Sequence, residues 1–512
     1  MGFLIDIVNS IRTKFSAQVL LVLTLLIGYV TVNVIYNLYF HPLARRFPGP
    51  KLWAASRLPY IYALVNGRLV QRQRELHEKY GHCIRLAPDE VSFANEDAWN
   101  DIYMFRRGHK RALRDKAFLA APNEEVDNII TTTDAKFHAR VRGLLSNSFT
   151  EDSLRLQYPI IQAHADTLVA QLKRITLSSP TSTVNITDWL NFFTMDVIGD
   201  LSFGQPFGCL ARGEYHDWVR TLFMYLKFMS LAAAPRYYPW LQWTLEWLMP
   251  RSIMKGVMKH QAYAYEKINQ RLNSNTSRPD FMTAFLKKNS NFETMSRKEV
   301  LATFNFVIVG GSETSATVLT GLFSHIAKNQ RIRQRLCEEI RGRFKTQQDI
   351  DIDEIKELPY LEAVLQEGLR VCNPVPCGLP RVVPPGGDSY CGHFLPAGTR
   401  LSARTYAINR SAEYFARPDD FVPERWLPPP ERPAEFANDK LYASRPFSVG
   451  FHACLGKPLA WTELRLVVAK LLWTFDIWAK DGETSFFEDF PILLMVQKGP
   501  LRLGIKVREG LH

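Results

Sequence analysis

The chain has 512 residues, with 63 Lys and Arg against 51 Asp and Glu and a net charge of +12. Hydrophobic residues make up 46% and charged residues 22%, with 28 Gly and 30 Pro, which excludes a disordered, collagen-like or acidic low-complexity chain and leaves enough apolar mass for a large core. Seven cysteines (83, 209, 337, 372, 377, 391 and 454), scattered and without a CxxC pair, exclude a secreted disulfide framework and a structural zinc site, and the short basic groups such as Arg106-Arg107 set nucleic acid aside.

From Phe15 to Phe40 no residue is charged, and Ala17 to Tyr36 reads AQVLLVLTLLIGYVTVNVIY. About 20 such residues, rising ~1.5 Å each, cross a hydrocarbon core ~30 Å thick, so residues 1–40 are expected to be a membrane anchor. The run exceeds the ~7 to 15 apolar residues of a signal peptide and shows no small-residue cleavage site. Arg45, Arg46, Lys51 and Arg57 follow it without an acid, whereas Arg12 and Lys14 precede it with Asp6, which puts the rest of the chain on the cytosolic side. Asn185, Asn275 and Asn409 open N-x-S/T triplets and are expected to be unmodified there.

The next residues, HPLARRFPGP, carry Pro42, Pro48 and Pro50 and read as a stiff hinge over 41–55. From 56 to 512 helical periodicity dominates: 68–80, 135–149, 152–174, 187–203, 214–230, 254–274, 297–327, 330–345, 359–372 and 456–474. Strand signals are short, in HCIRLAP, VSFAN, SYCGHFLPAG and the closing ILLMVQKGPLRLGIKV. The expected fold is mainly α, one large helical domain with a smaller β portion. Trp218, Phe223, Tyr225, Phe228, Tyr237, Tyr238, Trp240, Trp243 and Trp247 crowd one stretch and suit helix packing, a pocket wall or a membrane interface.

Three segments carry chemistry. In NFVIVGGSETSATVLTGLF, the adjacent Gly310 and Gly311 cost a helix about 1 kcal/mol each relative to Ala, so something needs the space. Thr314 lies four residues after Gly310, where its hydroxyl can reach that carbonyl and open a polar notch beside Glu313. Glu367 and Arg370 stand three apart on one helical face. Phe447-Ser448-Val449-Gly450-Phe451-His452-Ala453-Cys454-Leu455-Gly456 sets a cysteine in a loop that enters a helix, where unpaired amides stabilise a thiolate and suit it to a metal. Gly450 permits the turn, and Gly456 permits close approach of a flat partner.

On these residues the chain resembles the cytochrome P450 haem-thiolate monooxygenases. Their haem-loop signature F-x-x-G-x-R-x-C-x-G is met by Phe447, Gly450, Cys454 and Gly456, with His452 in the place of Arg. The family's [AG]-G-x-[DE]-T-[TS] is met from Gly310 to Ser315, its E-x-x-R by Glu367 and Arg370, and Pro423-Glu424-Arg425-Trp426 adds Arg425. The resemblance implies a cytochrome P450 fold and haem b (iron protoporphyrin IX) with Cys454 as axial thiolate. It implies haem propionates held by Arg142, Arg381, His138 and His452, O2 in the notch with Thr314 and Glu313 delivering protons, and Glu367, Arg370 and Arg425 as a buried brace. The activity implied is NADPH- and O2-dependent oxidation of a lipophilic small molecule at the endoplasmic reticulum membrane. Electrons would come from NADPH-cytochrome P450 reductase, with cytochrome b5 as a further donor, and Lys457 and Arg465 are candidates for the basic docking face.

The segments YFHPLARRFPGPKLWAASRLPY and LHEKYGHCIRLAPDEVSF look like membrane-bound members from filamentous fungi that tailor secondary metabolites such as polyketides, terpenoids or alkaloids. A haem-thiolate isomerase, dehydratase or ring-rearranging oxidase, and a membrane-tethered haem sensor or carrier, are the alternatives. Pocket walls are expected from 102–122, 218–250, the helix face before Gly310, and 373–380.

Overall fold

The computed structural model describes residues 2–119, 126–178, 183–238, 242–244, 251–274, 278–480 and 487–511. Helix α1 (Gly2–Ile35) runs on through a wider π-type turn at Tyr36–Phe40. Its apolar part, Ala17–Phe40, has 24 residues and none of it is buried. That length is enough to cross a membrane.

The proline-rich residues that follow are bound to the domain. The Asn37 side-chain amide donates to Ala55 O at 2.9 Å, Arg85 donates to Asn37 O at 2.7 Å, and the Arg85 amide donates to Pro48 O at 2.8 Å. Gly49 allows this approach, since a Cβ there would stand 2.5 Å from Arg85 O. Leu43 and Phe47 are buried and Lys51–Ala55 is a short helix, so residues 41–55 form a strap on the domain surface.

The predicted periodicities become helices α2 (Leu69–Tyr80), α3 (Ala135–Leu145), α4 (Glu151–Ser178), α5 (Ile186–Phe203), α6 (Asp217–Ala232), α7 (Arg251–Leu272), α8 (Arg297–Lys328), α9 (Gln330–Arg343), α10 (Pro359–Val371) and α11 (Lys457–Thr474). Their ends follow local chemistry. Ser296 and Glu299 form a reciprocal capping box at the start of α8, Asn329 caps α9, and α10 and α11 carry Pro in their first turn. The main core lies among α4, α5, α8, α10 and α11. Helix α8 is as long and apolar as a membrane span, but it is buried against α5.

The sheets are small. Strands β1 (Cys83–Ala87), β2 (Glu90–Phe93), β3 (Leu113–Arg114), β4 (Thr183–Asn185), β5 (Arg381–Val382), β6 (Asp388–Tyr390), β7 (His393–Leu395), β8 (Arg400–Ala403), β9 (Phe475–Ala479) and β10 (Arg502–Val507) are all six residues or shorter. One sheet has the order β1-β2-β8-β5-β3 with β2 and β8 parallel; another has the order β4-β10-β9. The closing segment is a strand only from Arg502. Pro491, Gly499 and Pro500 break its first part, which turns back at a single Ile492–Val496 bridge and is left free to enter the interior.

A buried ion network ties α10 to the Pro423–Trp426 turn. Glu367 accepts from Arg370 at 2.7 and 2.8 Å, from Arg425 at 3.1 Å, from Trp426 Nε1 at 2.8 Å and from the Val422 amide at 2.8 Å. All three charged side chains are fully buried. The same guanidiniums also serve the chain around them. Arg370 bonds Asn409 O and Pro418 O at 2.6 Å, and Arg425 pairs with Asp439. Glu367→Gln, which leaves the buried Arg370 guanidinium without a counter-charge, should therefore cost about 3–5 kcal/mol in denaturant unfolding. Glu362→Gln, which removes the half-exposed partner of Arg465, should cost about 0–1 kcal/mol. Equal small losses in the two variants would contradict a supporting role for the network.

Candidate functional site

A cavity of about 870 Å³ lies between α8, the loop before α11 and the C-terminal segment. Cys454, Phe447, Gly456, Gly310, Gly311, Glu313 and Thr314 all line it, so the two widely separated motifs meet in one space.

The cysteine loop is held by its backbone. Gly450 sits at φ +71°, and a Cβ there would stand 2.1 Å from Tyr103 O, so only glycine fits. The Cys454 amide donates to Phe447 O at 2.9 Å. Burial of the loop raises the thiol above its ordinary range, while the amides of Gly456 and Lys457 and the charge of Arg142 act in the opposite direction. Its side chain is open to the cavity, and a Cβ on Gly456 would meet only the Cys454 sulfur, at 3.9 Å, leaving clear space over the helix start. The other six cysteines are also unpaired; Cys209, Cys372 and Cys377 are buried, with Cys209 pushed up to about 11 and Cys377 to about 12. Among the described residues no group of three His, Cys, Asp or Glu could hold a metal.

One wall of the cavity is strongly cationic. His452 meets Arg114 at 2.7 Å, Arg111 at 3.1 Å and His138 at 3.1 Å, and Arg142 donates to Ala453 O at 2.7 Å. Arg381 is 1% exposed, and both of its terminal nitrogens lack a partner. Burial and the neighbouring arginines hold His138 down at about 3, and burial with the charge of Arg381 pushes Arg114 down to about 9; His452 lies far below its ordinary value for the same reasons. His452 is thus neutral, and the charge of the cluster comes from arginine. A flat dianionic iron porphyrin fits this setting: its carboxylates would satisfy Arg381 and offset Arg114, and its face would occupy the space left open at Gly456.

On α8, Thr314 Oγ1 donates to Gly310 O at 2.7 Å within an unbroken helix. The two glycines serve different ends. A Cβ on Gly310 would meet only Phe306, at 3.5 Å, whereas one on Gly311 would stand 2.4 Å from Ile198 Cδ1. Gly311 thus lets α8 approach α5, and the notch belongs to Gly310. Glu313 is paired with Lys498, Nζ to Oε1 2.5 Å, and Lys498 was not singled out from the sequence. The braces Glu367, Arg370 and Arg425 lie outside the cavity lining, apart from the groups above.

The expected walls are present in part. Tyr103, Arg114 and Phe118, then Phe223, then Val309, then Val375 and Leu379 line the space, whereas residues 120–122 lie outside the described residues. Of the aromatic stretch, Trp218 stacks on Phe207 at 5.0 Å in the core, Tyr237 packs on Arg57 at 4.3 Å and Trp243 is exposed. Trp240, Trp247 and the side chains of Tyr225 and Phe228 lie outside the described residues. Sequence reasoning missed Arg111 and Arg114, Lys498, and the hydrogen-bonded Asp188, Asn191 and Tyr215. The one available signal was Lys498 as the single charge in ILLMVQKGPL.

Comparison with known proteins agrees with this geometry. The family model for Cytochrome P450 matches residues 48–504. Averantin hydroxylase of Dothistroma septosporum is 36% identical over 93% of this chain and 89% of its own length. Cytochrome P450 monooxygenase astJ of Aspergillus oryzae is 38% identical over 93% of this chain and 94% of its own, and lcsI of Purpureocillium lilacinum is 36% identical over 93% and 92%. The chain belongs to the cytochrome P450 family and is a haem-thiolate monooxygenase.

Proposed function

We propose that the protein hydroxylates, epoxidises or otherwise oxidises a lipophilic secondary metabolite, a polyketide, terpenoid or alkaloid, at the cytosolic face of the endoplasmic reticulum. The observation that carries the reading is the shared cavity: the open Cys454 thiol, the Thr314 notch and the cationic group of Arg114, His138, Arg142 and His452 border one space. The likeness to averantin hydroxylase favours hydroxylation.

Cys454 would hold the iron of haem b through its thiolate, with Phe447, Gly450 and Gly456 shaping its loop and Gly310 and Gly311 lining the cavity across from it. Haem, when bound, supplies oxygen activation and the oxidation itself. Arg142, Arg381, His138 and His452, joined by Arg111 and Arg114, hold the propionates. Thr314 Oγ1, fixed on Gly310 O, and Glu313 hold and move protons on the oxygen side. The apolar majority of the cavity wall excludes water and receives the substrate. Glu367, Arg370 and Arg425 support the region from behind.

Electrons from NADPH would arrive through NADPH-cytochrome P450 reductase, with cytochrome b5 as a further donor. Lys457 remains a candidate for that docking face; Arg465 contributes less, because Glu362 accepts from it at 3.0 and 3.1 Å. Residues 1–40 serve as the anchor, 41–55 as the connection and 56–512 as the catalytic domain. Asn409 is fully buried and donates to Arg370 O at 2.8 Å, which supports its being unmodified; Asn185 is engaged by Asp188, and Asn275 lies outside the described residues.

Two variants test the assignment. Cys454→Ala should abolish the strongly red-shifted Soret band of the ferrous CO complex; a retained band would remove Cys454 as the ligand. Thr314→Ala should keep the CO spectrum while diverting reducing equivalents to peroxide, measured as peroxide released per NADPH consumed, and an unchanged ratio would remove Thr314 from proton handling.

A further inference from the structure

We propose that Lys498 is a positioning residue for the oxygen side of the site: its ammonium pairs with the Glu313 carboxylate and fixes it against α8. The inference deepens the reading of Thr314 and Glu313 as the proton-handling pair and rests on it. Lys498 comes from the C-terminal segment, far from α8 in sequence, and spends its three N–H donors on one helical turn. It reaches Glu313 Oε1 at 2.5 Å, Thr317 Oγ1 at 3.0 Å and Glu313 O at 3.4 Å. Its side chain is 4% exposed and that of Glu313 12%. A lysine so buried is sustained by its partner, since an unpaired ammonium in the interior would be neutral.

The backbone that delivers this ammonium is fixed on both sides. The Gln497 amide donates to Pro491 O at 2.8 Å, and the Leu501 amide donates to Asn185 Oδ1 at 3.0 Å and Thr187 Oγ1 at 3.2 Å. A Cβ on Gly499 would stand 2.9 Å from the Phe490 ring, which keeps the turn close-packed. Lys498 therefore cannot swing away without displacing the segment. The pairing also divides the carboxylate: Oε1 is taken, whereas the buried Oε2 has no protein partner. That second oxygen is the atom left without a protein partner and so the one available for proton exchange.

The titratable groups facing Glu313 are few. Besides Lys498, the phenol of Tyr215 from the segment before α6 stands in its field; Tyr215 donates to Asp188 Oδ1 at 2.7 Å and accepts from Asn191 at 2.9 Å. Burial lowers the Lys498 ammonium and Glu313 raises it, so the pair is mutually dependent. Tyr215 and Asp188 supply no positive charge. Lys498 is thus the cation that offsets Glu313.

The test uses the haem-loaded full chain with Lys498→Met and Lys498→Arg, each alone and in a Glu313→Gln background, and with Lys498→Gln as the milder variant should Lys498→Met not fold. Thermal unfolding is followed from about pH 5 to about pH 8, above the ordinary carboxyl value of ~4.3. Without its cation a buried carboxyl favours the neutral form, whereas in the unfolded chain it ionises freely. The Tm deficit of Lys498→Met relative to the unsubstituted chain should accordingly grow as pH rises and be largely restored by Lys498→Arg, whereas the double variant Lys498→Met with Glu313→Gln, which lacks both charges, should show no such trend against the unsubstituted chain. A deficit independent of pH would assign Lys498 a packing role only and overturn the proposal.

The second readout is peroxide released per NADPH consumed, with reductase present and no added substrate. Lys498→Met should raise it at least about 3-fold and Lys498→Arg should bring it back. A change in Glu313→Gln but none in Lys498→Met overturns the role of Lys498 alone. No change in Glu313→Gln overturns the proton-handling reading on which it rests.

Discussion

Buried positive charge without counter-charge is the constraint around which the site is organised. Elsewhere in the same sheet region Arg57 pairs with Asp89 and Glu90, Arg404 with Glu90, and Arg400 with Asp89 and Asp115, while Arg85 spends its donors on the Pro88 and Asn37 carbonyls. Arg381 and Arg114, on the paired strands β5 and β3, have no acid, and around them stand Arg111, Arg142, His138 and His452. Desolvating such a cluster costs several kcal/mol per ion unless an anion joins it. A ligand with two carboxylates, seated over Cys454, meets that need and the shape of the space together.

The substitution of His452 for the family's Arg follows from the same arrangement. A further permanent charge at 452 would face Arg111 and Arg114 at hydrogen-bond distance. A neutral imidazole adds no such charge and accepts from one of those arginines at its unprotonated ring nitrogen. Charge that the usual residue brings from the cysteine loop is here brought from the segment ending in β3. The loop itself is left to backbone constraints, the Gly450 turn and the Cys454 amide bond.

Much of this architecture was legible in the sequence, for specific reasons. Helices with one buried face, such as α4 and α9, repeat their apolar period often enough to be read, and the Cys454 loop carries Gly and Cys at positions where few other residues serve. Strands β3 and β5 are two residues long and have no period to detect. The closing segment shows why alternation misleads: its apolar residues suit a strand, but Pro491 and Gly499-Pro500 turn it inward. Lys498 stands out there as a lone charge in an apolar run, but its partner, 185 residues away, is not legible from that segment. The space needed at Gly310-Gly311 has a cause that the sequence does not show: the missing Cβ of Gly311, which lines the cavity, also admits Ile198 of α5. Residues 41–55 were read as a hinge from their prolines alone; the contacts of Asn37, Pro48 and Arg85 that make them a strap are non-local.

The central claim is that the Cys454 thiol and the unpartnered arginines are two ends of one haem site. A crystal structure of the haem-loaded protein tests it most directly. The account predicts iron bonded to the Cys454 sulfur and the two propionates within hydrogen-bond distance of Arg381 and Arg114. Iron held by any other side chain, or propionates turned away from both arginines, would contradict it.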